Sequence, residues 1–265
     1  MKIELKLSFT VHCAVKLNYF SKIQPIDKMT AYHGGKQRIG KQLAEIIVDE
    51  SIKIAEEEGF EIEGYCEPFC GMLGVYRHIP ELFEEEGYED LRYLAGDTNK
   101  SVIKMWQAAQ KGWKPPSKCT KAQFNKVKRS KSPTAEKGFV GHACTYRGVF
   151  LDGYFGHSSS KIRGNQERVI AIARDLGDVK FSAGTYDRYS HLKGYIIYCD
   201  PPYADTDCRY FDGEGYFDRL DFDTKAFWHW TKKMAQNNIV FVSEYRAPKD
   251  VEMVWQSGRE RLYLI

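Results

Sequence analysis

Residues 194–203 read GYIIYCDPPY, and this stretch decides the fold. The part up to Cys199 is an apolar run of β-branched and aromatic residues, which predicts a buried strand. Two consecutive prolines cannot continue a strand, because each lacks an N–H group and fixes φ. The second proline also holds Pro201 extended. We therefore predict a stiff turn at the carboxyl end of a central strand, where open α/β sheets bind their ligands.

This turn presents groups that suit a planar ring with an exocyclic amine. Asp200 has a carboxylate, Pro201 a carbonyl and Tyr203 an aromatic face. The two acceptors can each take one N–H of the amine while its ring stacks on the tyrosine. Accepting both hydrogens frees the nitrogen lone pair for attack. Taken alone, the same residues are equally compatible with a strand end capped by a proline turn.

The composition bounds the class of protein. The 265 residues are 43% hydrophobic and 28% charged, which is typical of a soluble globular enzyme with one large α/β domain or a domain and an insertion. The net charge is only +3, so affinity for a polyanion must come from local clusters. Seven cysteines, an odd number, favour reduced thiols and an intracellular protein. Cys66 and Cys70 have no second pair at ligand spacing, so we expect no metal site.

Residues 1–28 are predicted to be an N-terminal extension of uncertain order. Their apolar segment is too short and too interrupted for a signal peptide or a membrane span.

Two glycine motifs are candidates for a ligand site at the start of the fold, although the first, taken alone, favours a plain glycine turn into a helix. Residues 31–36 read AYHGGK and precede an amphipathic helix that is expected to end near Glu58. The glycines let a ligand approach the backbone, and Lys36 adds a positive charge. Residues 65–75 read YCEPFCGMLGV, a short strand and a glycine turn that form an imperfect dinucleotide fingerprint.

The second strand of the predicted sheet ends in an acidic residue. Residues 91–99 read LRYLAGDTN, which places Asp97 where a ribose diol is commonly bound. Asp97 is also a candidate N-cap of the helix predicted at 100–111.

Residues 111–176 form a predicted insert before the third strand, at 179–183. The first part, 111–133, contains no acidic residue and eight basic ones: Lys111, Lys114, Lys118, Lys121, Lys126, Lys128, Arg129 and Lys131. Such charge supplies non-specific affinity for DNA, although charge runs are usually solvated faces or linkers. Arginine can bind guanine and asparagine adenine, so the polar side chains of the second part are candidates for DNA contacts. Tyr154 and Phe155 are predicted to be core residues, and the alternative is that they fill the space that a flipped adenine leaves.

Five motifs in register resemble the Dam-type DNA adenine methyltransferases. In chain order they are Y-H-G-G-K, E-P-F-C-G-x-x-G, G-D-T-N, D-P-P-Y and S-E-Y, and they span 32–248. The resemblance implies a Rossmann-like class I methyltransferase sheet with an inserted DNA-recognition region. It implies a catalytic domain over 29–110 and 177–265, with 111–176 as the target-recognition insert. It also implies S-adenosylmethionine as the methyl donor, no metal, and a target adenine flipped out of double-stranded DNA.

Each predicted role has its own set of residues. The catalytic residues are Asp200, Pro201, Pro202 and Tyr203. The donor-binding residues are Tyr32, Lys36, Phe69, Gly71, Asp97, Thr98 and Asp200. The DNA-binding residues are Lys126, Lys128, Arg129, Arg147, Lys161, Arg163 and Asn165.

The sequence departs from the family pattern in two places. The second glycine of the cofactor motif is displaced by one, so Leu73 is expected to point away from the donor. The chain also ends soon after the fifth predicted strand, so we expect the final strand pair of the family to be short or absent.

Three alternatives stay open. The first is methylation of the cytosine 4-amine, whose enzymes more often carry Ser where this chain has Asp200. The second is methylation of RNA or protein, although protein-modifying relatives favour Asn there. The third is a catalytically silent DNA-binding protein of the same fold. The recognition sequence, the oligomeric state and the biological role are not set by the sequence.

Overall fold

The computed structural model describes residues 35–203, 209–211, 216–218 and 222–265. The N-terminal extension predicted at 1–28 and the donor contact predicted for Tyr32 lie outside these residues. The helices are α1 (Gly40–Glu58), α2 (Ile79–Glu85), α3 (Lys100–Gln110), α4 (Lys121–Arg129), α5 (Ala135–Ala143), α6 (Ser159–Asp175) and α7 (Thr224–Met234). The strands are β1 (Gly64–Glu67), β2 (Arg92–Asp97), β3 (Lys180–Ala183), β4 (Tyr195–Cys199), β5 (Arg209–Phe211), β6 (Tyr216–Asp218), β7 (Ile239–Ser243), β8 (Glu252–Ser257) and β9 (Glu260–Leu264).

The main sheet has seven strands in the order β3-β2-β1-β4-β7-β9-β8. Five neighbouring strands of this sheet, β3, β2, β1, β4 and β7, pair in parallel. Strand β9 runs antiparallel to both β7 and β8. The chain proceeds outward from β1 to β3, then returns to the other side of β1 with β4. This reversal is a topological switch point between β1 and β4, compatible with a Rossmann-like fold. The predicted α/β class with a mostly parallel sheet is confirmed.

The central strands are buried on both faces. Every residue of β1, β4 and β7 is buried. Alternate side chains of β4 enter two different hydrophobic clusters, with Ile196 and Tyr198 in the larger and Ile197 and Cys199 in the smaller. This explains why the strand reads as a continuous apolar run rather than an alternating one. The strand predicted from 194–199 is confirmed.

The helices between β2 and β3 join the larger cluster. Phe124 of α4, Phe139 of α5 and Ile162 of α6 are each almost fully buried in it. Helix α5 approaches α3 very closely, because a Cβ atom at Gly138 would lie 2.2 Å from the Ser101 carbonyl oxygen. The segment 111–176 is thus helical and packs on the same core as the sheet.

A final strand pair is present at the sheet edge, so the expectation of a short or absent edge was wrong. Strands β8 and β9 form a hairpin around Gly258, whose φ is 59°. Strand β9 buries Leu262 and Tyr263 against β7, whereas β8 is mostly exposed. Four of the six residues of β8 are exposed, and its two half-buried residues, Val254 and Trp255, are adjacent rather than alternating. The strand therefore lacks the period-2 pattern by which a sequence shows a half-buried strand. None of the helices in the described ranges is long and apolar enough to cross a membrane.

Candidate active site

Three acidic side chains lie along the carboxyl edge of the parallel sheet. Glu67 ends β1, Asp97 ends β2 and Asp200 follows β4 directly. Parallel strands bring their carboxyl ends to one edge, and β1 and β4 flank the switch point. Glu67 is 3% exposed, and its carboxyl accepts a hydrogen bond of 2.8 Å from the Tyr65 hydroxyl. Burial raises the pKa of Glu67 well above its ordinary value, which favours the neutral acid.

Asp200 is held by a lysine that stands 164 residues earlier in the chain. Lys36 Nζ donates to Asp200 Oδ1 at 2.8 Å, and the two side chains are only 8% and 19% exposed. Burial raises the pKa of Asp200, while Lys36 acts in the opposite direction. Burial opposes the charge on Lys36, but two nearby carboxylates raise its pKa overall. The pair is therefore a buried salt bridge, and its partners depend on each other for charge compensation.

A second carboxylate, that of Glu260, lies beside Lys36 and completes a cluster that also contains Asp200 and Tyr203. Its Oε2 atom is 3.5 Å from Lys36 Nζ and accepts a hydrogen bond of 2.9 Å from the Tyr203 hydroxyl. The Lys36 ammonium lies 4.5 Å from the centroid of the Tyr203 ring, a cation–π contact. The Tyr203 ring also meets Tyr245 edge-on, with 4.6 Å between centroids. Sequence reasoning missed Glu260, because the strand that carries it was not predicted.

Asp97 binds the backbone of the glycine turn. Its two carboxylate oxygens accept from the Gly71 N–H at 3.0 Å and the Asn99 N–H at 2.8 Å. Burial raises the pKa of Asp97 to about 6 in spite of these bonds. A carboxylate has about four lone-pair sites, so Asp97 retains acceptor capacity for a ligand. Its alternative role as a helix cap was wrong: Asn99 caps α3, and its side chain accepts from the backbone N–H groups of Ser101 and Val102.

The glycine turn after β1 packs tightly against α1 and α3. Trp106 Nε1 donates to the Gly71 carbonyl at 2.9 Å, and a Cβ atom at Gly40 would lie 2.0 Å from the Gly74 carbonyl oxygen. Leu73 adopts a left-handed φ of 57° and is fully buried. The turn is thus fixed from both sides, with the Leu73 side chain directed into the core.

Phe69 belongs to an aromatic cluster beside the turn. Its ring stacks on Tyr186 with 5.7 Å between centroids, and it meets Phe222 and Phe227 edge-on. Phe69, Tyr186 and Phe222 are half-buried, whereas Phe227 and Trp230 are buried beneath them. The cluster therefore offers a partly open apolar surface at the same sheet edge as Asp97. The half-buried Thr98 follows Asp97 directly.

The side chains predicted to contact DNA divide into two groups. Five of them are exposed: Lys126, Lys128 and Arg129 on α4, and Lys161 and Arg163 on α6. Asn165 is only 4% exposed, so α6 does not present its side chain to a duplex. The side chain of Arg147 lies outside the described residues.

The two neighbouring aromatic residues Tyr154 and Phe155 differ in their burial. Tyr154 is half-buried, and its hydroxyl donates to the Cys119 carbonyl at 3.0 Å, as a packing role requires. Phe155 is 45% exposed and contacts the exposed ring of Tyr146, so its prediction as a core residue was wrong.

No family model matches the chain, and no curated protein matches it. Within the described ranges, no group of three His, Cys, Asp or Glu side chains is arranged to hold a metal ion. The expectation of no metal stays a prediction.

Proposed function

We propose that this chain is a methyltransferase that transfers a methyl group from S-adenosylmethionine to the 6-amino group of adenine in a short specific sequence of double-stranded DNA. One observation carries the proposal: the Asp200 carboxylate stands at the carboxyl end of β4, beside the switch point, with the Pro201 carbonyl and Tyr203 next to it. This corner combines two acceptors for an amine with an aromatic ring.

The strand order supports a methyltransferase over a dinucleotide-dependent oxidoreductase. The parallel strands follow the order 3-2-1-4 and then β7, as in Rossmann-like sheets. The dinucleotide-binding sheet continues with a further parallel strand, whereas here the antiparallel β9 follows β7. A final strand pair at this edge is what the resemblance implies for the family, and β8 and β9 form such a pair.

The residues along the carboxyl edge fit the parts of the proposed donor. Asp97 would accept hydrogen bonds from a ribose diol. The half-buried rings of Phe69 and Tyr186 would pack against an adenine ring. Glycine backbone at Gly71 permits close approach of the methionine part. When bound, S-adenosylmethionine supplies a methyl group that is activated by a positively charged sulfur.

Catalysis would rest on positioning of the target amine. The amine N–H groups would be accepted by the Asp200 carboxylate and the Pro201 carbonyl, which leaves the nitrogen lone pair directed towards the methyl carbon. The amine nitrogen would form the new C–N bond as the C–S bond breaks, and S-adenosylhomocysteine would leave as a neutral thioether. The surplus N–H proton would pass to solvent by way of the Asp200 carboxylate. Holding two reactants in this geometry accounts for much of the expected rate. A base inside a duplex cannot reach this corner, so it has to be flipped out.

The exposed basic face of α4 is proposed to contact DNA phosphates. Helix α4 buries Phe124 and Val127 and exposes its cationic side chains, and Lys128 also donates to the Asp152 carbonyl at 2.7 Å. Phosphate contacts make affinity depend on salt concentration.

Neutralising this face should weaken the salt dependence of DNA binding. For a variant with glutamine at Lys126, Lys128 and Arg129, we expect the slope of log K against log salt to become shallower by about 2 to 3. A matched control replaces Lys180, Lys193 and Lys233, which are exposed near the amino ends of β3, β4 and β7. An equal change of slope in both variants would contradict a DNA-binding role for α4.

Donor affinity should fall as the pH is lowered through about 6. Asp97 has a pKa of about 6, raised by burial, and only its carboxylate can accept both hydroxyls of a ribose. Above this pH the carboxylate is present and affinity is highest. Below it, protonation should weaken binding about tenfold per pH unit at most. Isothermal titration with S-adenosylmethionine would measure this, and Asp97→Asn should bind weakly with little pH dependence. A flat profile in the wild type would exclude Asp97 from the donor site.

A transfer assay tests the proposed function. The wild-type protein is incubated with methyl-labelled S-adenosylmethionine and, separately, with unmethylated duplex DNA, RNA and a protein mixture. Label in DNA supports the proposal, and label confined to RNA or protein contradicts it. Donor affinity without transfer to any acceptor, or no donor affinity, would favour a silent DNA-binding protein.

A further inference from the structure

The Lys36 ammonium occupies the place proposed for the target amine. Its nitrogen lies 2.8 Å from Asp200 Oδ1 and 4.5 Å from the centroid of the Tyr203 ring. The target amine would use the same carboxylate, and its base would use the same aromatic ring. Asp200 Oδ2 keeps acceptor capacity, but the ammonium lies over the Tyr203 ring, in the space that the base would take. Lys36 therefore has to move away from this ring when the base binds.

A buried lysine needs another counter-ion when it leaves Asp200. Lys36 is 8% exposed, and an uncompensated charge in such a position is strongly unfavourable. Glu260 is the second carboxylate of the cluster, 3.5 Å from the ammonium. Its side chain is 32% exposed, so it has more room to follow the lysine than Asp200 has.

We infer that Glu260 is a positioning residue that takes over the charge of Lys36 when the target amine binds to Asp200. The inference rests on the proposed function and deepens it. The Tyr203 hydroxyl donates to the same carboxylate at 2.9 Å, so Glu260 also holds the ring on which the base would stack.

The variant Glu260→Gln separates the charge from the hydrogen bond. Glutamine has the same shape and can still accept from the Tyr203 hydroxyl, but it cannot neutralise Lys36. We expect the single-turnover methylation rate, with enzyme in excess and saturating S-adenosylmethionine and duplex DNA, to fall about thirtyfold. The dissociation constants for DNA and donor should change by less than about threefold, because neither partner binds Glu260 directly. Glu252→Gln, the same substitution on the exposed strand β8, is the matched control and should retain the wild-type rate.

A double-mutant cycle with Lys36→Met identifies the route by which Glu260 acts. If Glu260 acts by neutralising Lys36, Glu260→Gln should lower the single-turnover methylation rate by less than about threefold in the Lys36→Met background. An equal loss in both backgrounds would show a structural role through Tyr203 and overturn the inference. An active wild type with an unaffected Glu260→Gln variant would also overturn it, while the proposed function would stand. A wild-type protein that transfers no methyl group would remove both.

Discussion

Replacing Asp200 with alanine is expected to reduce turnover by about a thousandfold or more, the largest effect of any single substitution in this chain. The carboxylate is the acceptor that fixes the target amine, and the Pro201 carbonyl alone cannot hold both hydrogens. The change also leaves Lys36 with Glu260 as its counter-ion at 3.5 Å. Breaking a buried ion pair lowers the free energy of unfolding by about 3–5 kcal/mol. We expect a loss at the lower end of this range, because the second carboxylate still compensates the charge of Lys36.

Single-turnover kinetics and donor titration together test this expectation. Donor affinity should change much less than the rate, since the contacts at Asp97 and Phe69 are unaltered. Asp200→Asn is the isosteric control: it keeps the shape of the side chain and should lose a comparable part of the rate, because an amide can place a donor where an acceptor is needed. Turnover within tenfold of the wild type in the alanine variant would remove Asp200 from the mechanism.

The second large effect is expected from Gly40→Ala at the start of α1. The new Cβ atom would lie 2.0 Å from the Gly74 carbonyl oxygen and 2.8 Å from its carbon. Both partners are backbone atoms of the glycine turn, so no flexible side chain can move aside. We expect the free energy of unfolding to fall by about 3 kcal/mol or more. Donor affinity should fall too, because the displaced turn carries the Asp97 contact to Gly71.

Gly164→Ala is the same chemical change as Gly40→Ala, but we expect it to raise the free energy of unfolding instead of lowering it. Gly164 lies within α6, and a Cβ atom there would meet nothing within 4 Å. Alanine should therefore stabilise the protein by about 0.5–1 kcal/mol through its higher helix propensity. Chemical denaturation of both variants measures the difference. Equal stability of Gly40→Ala and the wild type would show that α1 does not contact the turn as described.

The sequence predicted the central strands and their chemistry because those features are local. The two prolines after Asp200 end β4 there, whatever the position of the strand in the sheet. Asp97 lies at the same edge, because β2 and β4 are parallel and their carboxyl ends share one side of the sheet. The pairing of Lys36 with Asp200 is not local. It depends on how the segment before α1 packs against the sheet. Lys36 and Asp200 are 164 residues apart in the chain, and no sequence spacing indicates such a contact.

The burial of Asn165 and the cap of α3 both had signals in the sequence that were outweighed by composition. Asn165 follows Ile162 by three positions and precedes Val169 by four, so it lies on the apolar stripe of α6 rather than its polar face. Asn99 stands directly before the first helical residue, the ordinary place for an N-cap. Glu260 had no such signal, because its role depends on the edge hairpin that brings β9 beside β7.

Chemical identification of the methylated nucleoside tests the central claim most directly. Unmethylated duplex DNA is incubated with S-adenosylmethionine and either the wild-type protein or Asp200→Ala, digested to nucleosides, and analysed by mass spectrometry. The account predicts 6-methyladenine from the wild type and almost none from the variant. A product containing 4-methylcytosine would contradict the choice of base, and equal amounts of 6-methyladenine from both proteins would contradict the proposed active site.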